Sequence, residues 1–176
     1  LIYSHVTTKV TSLMSQARTI DLISGEASSG FTMEGYPHRA IFSMPFQGLT
    51  DKGIPTYLNE KGNLTSTDLN FQNRTDNSYL IYEGPTEPTV TGSLGNELKW
   101  KNWRLNIFVT YSFGSYVRLD PVFSARYNDL TSMTKEFKNR WMQAGDEKIT
   151  SVPGILPYRM YRDDSSLRIA YNAYNY

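Results

Sequence analysis

Few side chains in this 176-residue chain stand at spacings that could do chemistry. Histidine serves as a general base or a metal ligand, but the two present, His5 and His38, have no partner at ligand spacing. Asp163-Asp164 beside Arg162 offers oxygens that calcium accepts, yet no EF-hand spacing surrounds them and an exposed loop is the simpler reading. Asp120 with Asp129, or Asp146 with Glu147, has the residue types of a glycosidase acid/base pair. Nothing in the sequence holds either pair at a working separation. Cysteine is absent, which removes thiolate nucleophiles, thiolate metal sites and disulfides. The sequence therefore points to no catalytic residue, no metal site and no cofactor, and an enzyme is not expected.

Charge narrows the partners. Eighteen basic and 17 acidic residues are dispersed along the chain for a net charge of +1. No basic tract supplies the electrostatic footprint that nucleic acid requires, so that partner class is set aside. Aromatic residues make up 14% of the chain, 13 of them tyrosines. A tyrosine ring is apolar and its hydroxyl is wet, which suits both membrane interfaces and sugar-binding surfaces.

The elements that must position these residues are clearest in the middle of the chain. Trp103 to Phe113 alternates strictly. Trp103, Leu105, Ile107, Val109, Tyr111 and Phe113 fall on one face; Arg104, Asn106, Phe108, Thr110 and Ser112 fall on the other. Upstream, Thr89 to Trp100 places Val90, Leu94, Leu98 and Trp100 on one face and Thr91, Ser93, Glu97 and Lys99 on the other. Only Lys101-Asn102 separates the two segments, so they must be antiparallel neighbours. A third strand is expected over about residues 2–11, with Ile2, Val6 and Val10 on one side.

Residues 13–88 and 114–176 are long excursions broken by turn signals such as Tyr36-Pro37, Asp51-Lys-Gly53, Lys61-Gly-Asn63 and Val152-Pro153-Gly154. The first contains apolar patches at Arg39 to Phe46 and Thr56 to Leu58 that could pair as a small hairpin. The second carries one helical candidate from Leu130 to Met142, with Met133, Phe137 and Trp141 at i, i+4 and i+8.

A very short turn at one end of long strands and excursions of dozens of residues at the other is the pattern of transmembrane β-barrels. Eleven alternating residues also match the roughly 9–11 that a tilted strand needs to cross hydrocarbon. The expected fold is thus all-β: an antiparallel transmembrane β-barrel segment with long extracellular loops and one short loop helix. Leu105, Ile107, Val109 and Tyr111 would face lipid, and Arg104, Asn106, Thr110 and Ser112 would line the lumen. The alternative is a soluble β-sandwich, with the apolar face packed on a second sheet.

Specific phrases favour the barrel. Tyr82-Glu-Gly-Pro-Thr-Glu-Pro88 leads into Thr91-Gly-Ser-Leu-Gly-Asn96, Lys101-Asn-Trp103 and Thr110-Tyr-Ser-Phe-Gly114. Arg118-Leu-Asp-Pro121, Glu136-Phe-Lys-Asn-Arg-Trp141 and Gly145-Asp-Glu147 with Val152-Pro153 follow. Gly35-Tyr-Pro37, Phe46-Gln-Gly-Leu49 and Gly53-Ile-Pro55 precede them. In this order the phrases resemble the C-terminal half of the SusC/RagA family of TonB-linked outer-membrane transporters, across nearly the whole chain.

The resemblance implies a plugged barrel of about 22 strands in the bacterial outer membrane, importing oligosaccharides or peptides with energy relayed by the TonB complex. It also implies a SusD-like surface lipoprotein over the extracellular mouth. On this reading residues 1–176 are one part of a single barrel domain. The plug, the TonB-contacting segment and most strands belong to a larger polypeptide, and Tyr176 sits within an extracellular loop. The loop aromatics Tyr36, Phe42, Tyr57, Tyr158 and Tyr161 become candidates for stacking on substrate or meeting the lipoprotein lid. A soluble β-sandwich that binds glycans through surface tyrosines is the runner-up.

Overall fold

Lys101 and Asn102 alone separate two eleven-residue strands that pair along their full length, from Trp100 opposite Trp103 to Val90 opposite Phe113. Lys101 takes a positive φ of 52°, the conformation that lets a two-residue turn follow the twist of its strands. The computed structural model describes residues 1–24, 31–119, 122 and 132–175. In chain order they form strands β1 (Ile2–His5), β2 (Ala40–Ser43), β3 (Phe46–Leu49), β4 (Pro55–Leu58), β5 (Leu64–Thr65), β6 (Ile81–Pro85), β7 (Val90–Trp100) and β8 (Trp103–Phe113). The helices are α1 (Thr19–Ser24), α2 (Tyr158–Asp163) and α3 (Ser165–Tyr174), with short 3-10 turns at Lys135–Asn139 and Asp146–Lys148.

The chain is mostly antiparallel sheet with few helices, and the described sheets are open. The largest has the order β1-β7-β8. Because Ile2 pairs with Ser93 and His5 with Val90, β1 ends where β7 begins and β8 finishes. Both long excursions therefore leave from one end of this sheet, opposite Lys101-Asn102. Among the described residues no helix is long and apolar enough to cross a membrane.

The third strand is shorter than expected. Only four residues pair, followed by one bond from the Val6 N–H to the Thr89 carbonyl (2.9 Å). Ile2 stands opposite Ser93, so it lies on the polar face of β7 rather than with the apolar set. Val10 instead exchanges backbone bonds with Gly35 and Tyr36 (both 2.9 Å), where a tight turn competes for its peptide groups.

The two excursions pack together as a cap over that end of the sheet. β2 pairs with β6, and β3-β4-β5 form a second ribbon. The small hairpin is thus Phe46–Leu49 with Pro55–Leu58, and Ala40–Ser43 pairs elsewhere, with Ile81–Pro85. Leu22, Ile23, Ala40, Phe42, Met44, Tyr57, Leu69 and Leu80 from the first excursion share a core with Ala173 from the second. The Tyr57 hydroxyl donates to the Ala170 carbonyl (2.8 Å), and the Tyr171 hydroxyl donates to the Gly154 carbonyl (2.9 Å). Trp141 lies so close over Gly53 and Gly154 that a Cβ on either would meet its ring at 2.5 and 2.8 Å. Glycine is required at both positions for this approach.

The helix expected over Leu130–Met142 is not there. Leu130 lies outside the described residues, and over 132–142 there is only the 3-10 turn Lys135–Asn139. It is flanked by extended residues, Thr134 and Arg140. The Trp141 N–H bonds the Val152 carbonyl (2.9 Å) instead of continuing a helical ladder, and only Phe137 of the expected stripe is buried.

Candidate functional site

The faces of the β7–β8 hairpin and a cavity in the cap have a geometry that a partner or ligand can use. In an antiparallel pair, residues directly opposite share a face. The register therefore gathers Val90, Leu94, Leu98, Trp100, Trp103, Leu105, Ile107, Val109, Tyr111 and Phe113 on one side, interrupted only by Gly92 and Asn96. Leu105, Ile107 and Val109 remain 56%, 46% and 49% exposed, and Trp100 and Trp103 more so. Tyr111 is half-buried because its ring lies across Gly92 and its hydroxyl donates to the Ile2 carbonyl (3.4 Å). A contiguous apolar face of this size is far beyond the scattered surface leucines of an ordinary soluble protein.

The opposite side gathers Thr91, Ser93, Glu97 and Lys99 with Arg104, Asn106, Thr110 and Ser112, plus Phe108 over Gly95. Glu97 accepts from Arg104 Nε at 2.9 Å and from Lys99 Nζ at 3.3 Å. All three are well exposed, so the network favours a hydrated surface and adds little stability. Both facial sets expected from the alternation are therefore brought together as sets.

The loop aromatics divide differently. Phe42 and Tyr57 are core residues, 1% and 0% exposed, which corrects their assignment to a ligand-facing surface. Packing explains it: Phe42 meets Tyr36 edge-on at 5.1 Å, and Tyr57 meets Phe46 at 5.9 Å while bonding α3. Burial pushes the Tyr57 phenol well above its ordinary pKa. Tyr36 is half-buried between Phe42 and Tyr82, with its ring 5.1 Å from each. Tyr158 and Tyr161 belong to α2, and their side chains lie outside the described residues.

The carboxylates are occupied with backbone. Asp146 accepts from the N–H groups of Met142 and Gln143 (both 3.0 Å), and Asp164 caps α3 through Ser166 and Leu167. The Glu147 carboxyl is held below the usual range by its own N–H and that of Gly145, with Trp141 Nε1 adding a bond at 3.3 Å. A general acid needs the reverse shift. Asp163 pairs with Arg162 at 2.6 Å. Asp120 and Asp129 lie outside the described residues. Among the described residues no three His, Cys, Asp or Glu side chains converge as a metal site.

A cavity of about 590 Å³ opens between β2, β6, the stretch that follows β8, and α3. Ile41, Ile81, Val117 and Leu119 form part of its wall with the rings of Phe46, Tyr116 and Tyr174, and Glu83 and Arg118 are its charged residues. The Arg118 guanidinium donates to the carbonyls of Ile23 and Phe42, and the Ser43 hydroxyl donates to Glu83. Their convergence was not visible in the sequence, because segments some 40–95 positions apart supply these contacts. No model of a known protein family matches the chain, and no curated protein sequence matches it.

Proposed function

We propose that this chain is a strand-and-loop section of a bacterial outer-membrane β-barrel transporter of the SusC/RagA type, and that it has no enzymatic activity. The observation that carries the reading is the β7–β8 hairpin: ten apolar side chains on one face, without a covering sheet among the described residues. Hydrocarbon is a cover that needs no second layer of protein. Three further features support it. Each strand has the length to cross a bilayer when tilted. Both excursions leave from one end and fold together, as extracellular loops would. Among the described residues β8 pairs only with β7, leaving an eleven-residue edge that a soluble protein would not tolerate uncovered.

On this reading the cap faces the cell exterior, where a SusD-like lipoprotein would close over it, and Lys101-Asn102 is a periplasmic turn. Oligosaccharides or peptides would pass through the lumen, driven by the TonB complex acting on parts of the polypeptide beyond these residues. Fractionation of the intact natural protein tests it. The expected result is retention in outer membranes through an alkaline wash, with release only by detergent. A monodisperse monomer in plain buffer would favour the glycan-binding β-sandwich instead.

A further inference from the structure

We propose that the cavity between β2, β6 and α3 is a peptide-binding site that takes an apolar side chain with a neighbouring amino group. The assignment deepens the transporter reading and rests on it for the peptide's route, but the binding itself can be tested separately. The volume of about 590 Å³ lies in the range of small-ligand sites. Its wall is apolar, with Ile41, Ile81, Val117 and Leu119 beside the rings of Phe46, Tyr116 and Tyr174. Val117 and Leu119 are 70% and 82% exposed, so large apolar side chains stand in water around one opening. Apolar surface gathered at a concavity marks a site for an apolar ligand. Phe46, Tyr57, Tyr116 and Tyr174 also line the cavity, so the choice of a peptide over a sugar rests on the charge at its mouth.

Glu83 supplies the charge. It stands exposed on the rim, and its one hydrogen-bond partner among the described residues is the neutral Ser43 hydroxyl, with no ion pair. A carboxylate offers about four acceptor positions, so most of its capacity is unused. Arg118, on the same wall, is already committed to the carbonyls of Ile23 and Phe42. An apolar wall with a carboxylate outside any ion pair at its mouth matches an ammonium beside an apolar side chain. The amino terminus of a peptide beginning with leucine or valine presents that arrangement.

The test uses the intact natural polypeptide in detergent and isothermal titration with three probes: trileucine, N-acetyl-trileucine and maltohexaose. Trileucine is expected to bind, and acetylating its amine should weaken it by about tenfold. Glu83→Gln should bring trileucine to the affinity of the acetylated peptide while leaving the latter unchanged. Val117→Arg, at an exposed position outside the core, should weaken both peptides. Equal binding of free and acetylated trileucine, or indifference to Glu83→Gln, overturns the assignment. So does maltohexaose binding that Val117→Arg abolishes, which would make the site a saccharide site. A protein that needs detergent yet ignores trileucine sinks this assignment and keeps the transporter reading. A soluble monomer that binds trileucine through Glu83 does the reverse.

Discussion

Ile107→Arg and Asn106→Arg introduce the same side chain at adjacent residues on opposite faces of β8. Ile107 stands opposite Asn96, four residues from Trp103 and six from Phe113. At about 3.4 Å per residue and a tilt near 45°, it lies roughly 10 and 14 Å from the levels of the two strand ends. If the hairpin spans a bilayer as proposed, those depths would put a guanidinium near the middle of a hydrocarbon layer about 30 Å thick, where it should cost about 2–4 kcal/mol. Asn106 instead stands opposite Glu97, whose carboxylate already takes Arg104 and Lys99. A third cation there gains about 0–1 kcal/mol from Glu97 and loses a similar amount to its like-charged neighbours, so the net effect should be near zero. The assay is urea titration of the full-length protein folded into lipid vesicles, alongside its assembly in the outer membrane. A sandwich core would also reject Ile107→Arg, so Ile107→Leu and Val109→Leu complete the set. Fluid lipid should accept either with under about 0.5 kcal/mol, whereas a close-packed core usually registers the changed shape. Equal penalties for the two arginines, or severe loss from either leucine variant, would refute the lipid-facing assignment.

Surface labelling of intact cells should reach Lys52 and Lys148, both exposed in the cap, and miss Lys101 in the turn; the opposite pattern would invert the topology. Tyr57→Phe removes the buried bond to the Ala170 carbonyl and should lower cap stability by about 1 kcal/mol in urea unfolding. The raised Tyr57 pKa also sets a direction with pH. Its contribution is complete below the unfolded phenol's pKa of about 10 and declines above it, as the unfolded state alone releases the proton. Unfolding measured from about pH 9 to 12 should therefore destabilise the wild type more steeply than Tyr57→Phe; parallel slopes would count against this burial. Gly92→Ala places a Cβ against the Tyr111 hydroxyl and the Ile2 carbonyl, so β1 should loosen. Faster hydrogen exchange at the Val6 amide reports it, and unchanged protection would argue against the close approach.

Legibility from sequence followed the range of the interactions involved. The β7–β8 hairpin was readable because its alternation, its two-residue turn and its pairing are all local. The β1 register was not, because one position of slip exchanges the faces and Tyr3-Ser4-His5 gives no strong pattern against it. The stripe at Met133, Phe137 and Trp141 suggested a helix, but Trp141 is drawn against Gly53 and Gly154, contacts no local periodicity encodes. The three helices α1, α2 and α3 were passed over. α3 did leave a signal, with Asp164 as cap and Leu167, Ala170, Tyr171 and Tyr174 at helical spacing. Burial of Phe42 and Tyr57 depends on α3 and β6 closing over them, so their aromatic type alone suggested a surface role. The buried polar pair Thr19 and Asn77, bonded at 2.7 Å, joins residues 58 apart and was beyond reach for the same reason.

The bond between Tyr57 and Ala170 has a consequence for the order of assembly in time. It spans 113 positions, and the whole β7–β8 hairpin lies inside that span. The hairpin can zip as soon as its turn exists, because neighbouring residues make every rung. The cap cannot, since part of its core comes from Ala173, one of the last residues of α3. Until α3 arrives, Phe42, Met44 and Tyr57 have no complete shelter, and the unfinished cap is the adhesive stage of this chain's biogenesis. On the transporter reading, a chaperone would be needed for the cap chiefly during that interval, and for the hairpin until its apolar face is covered.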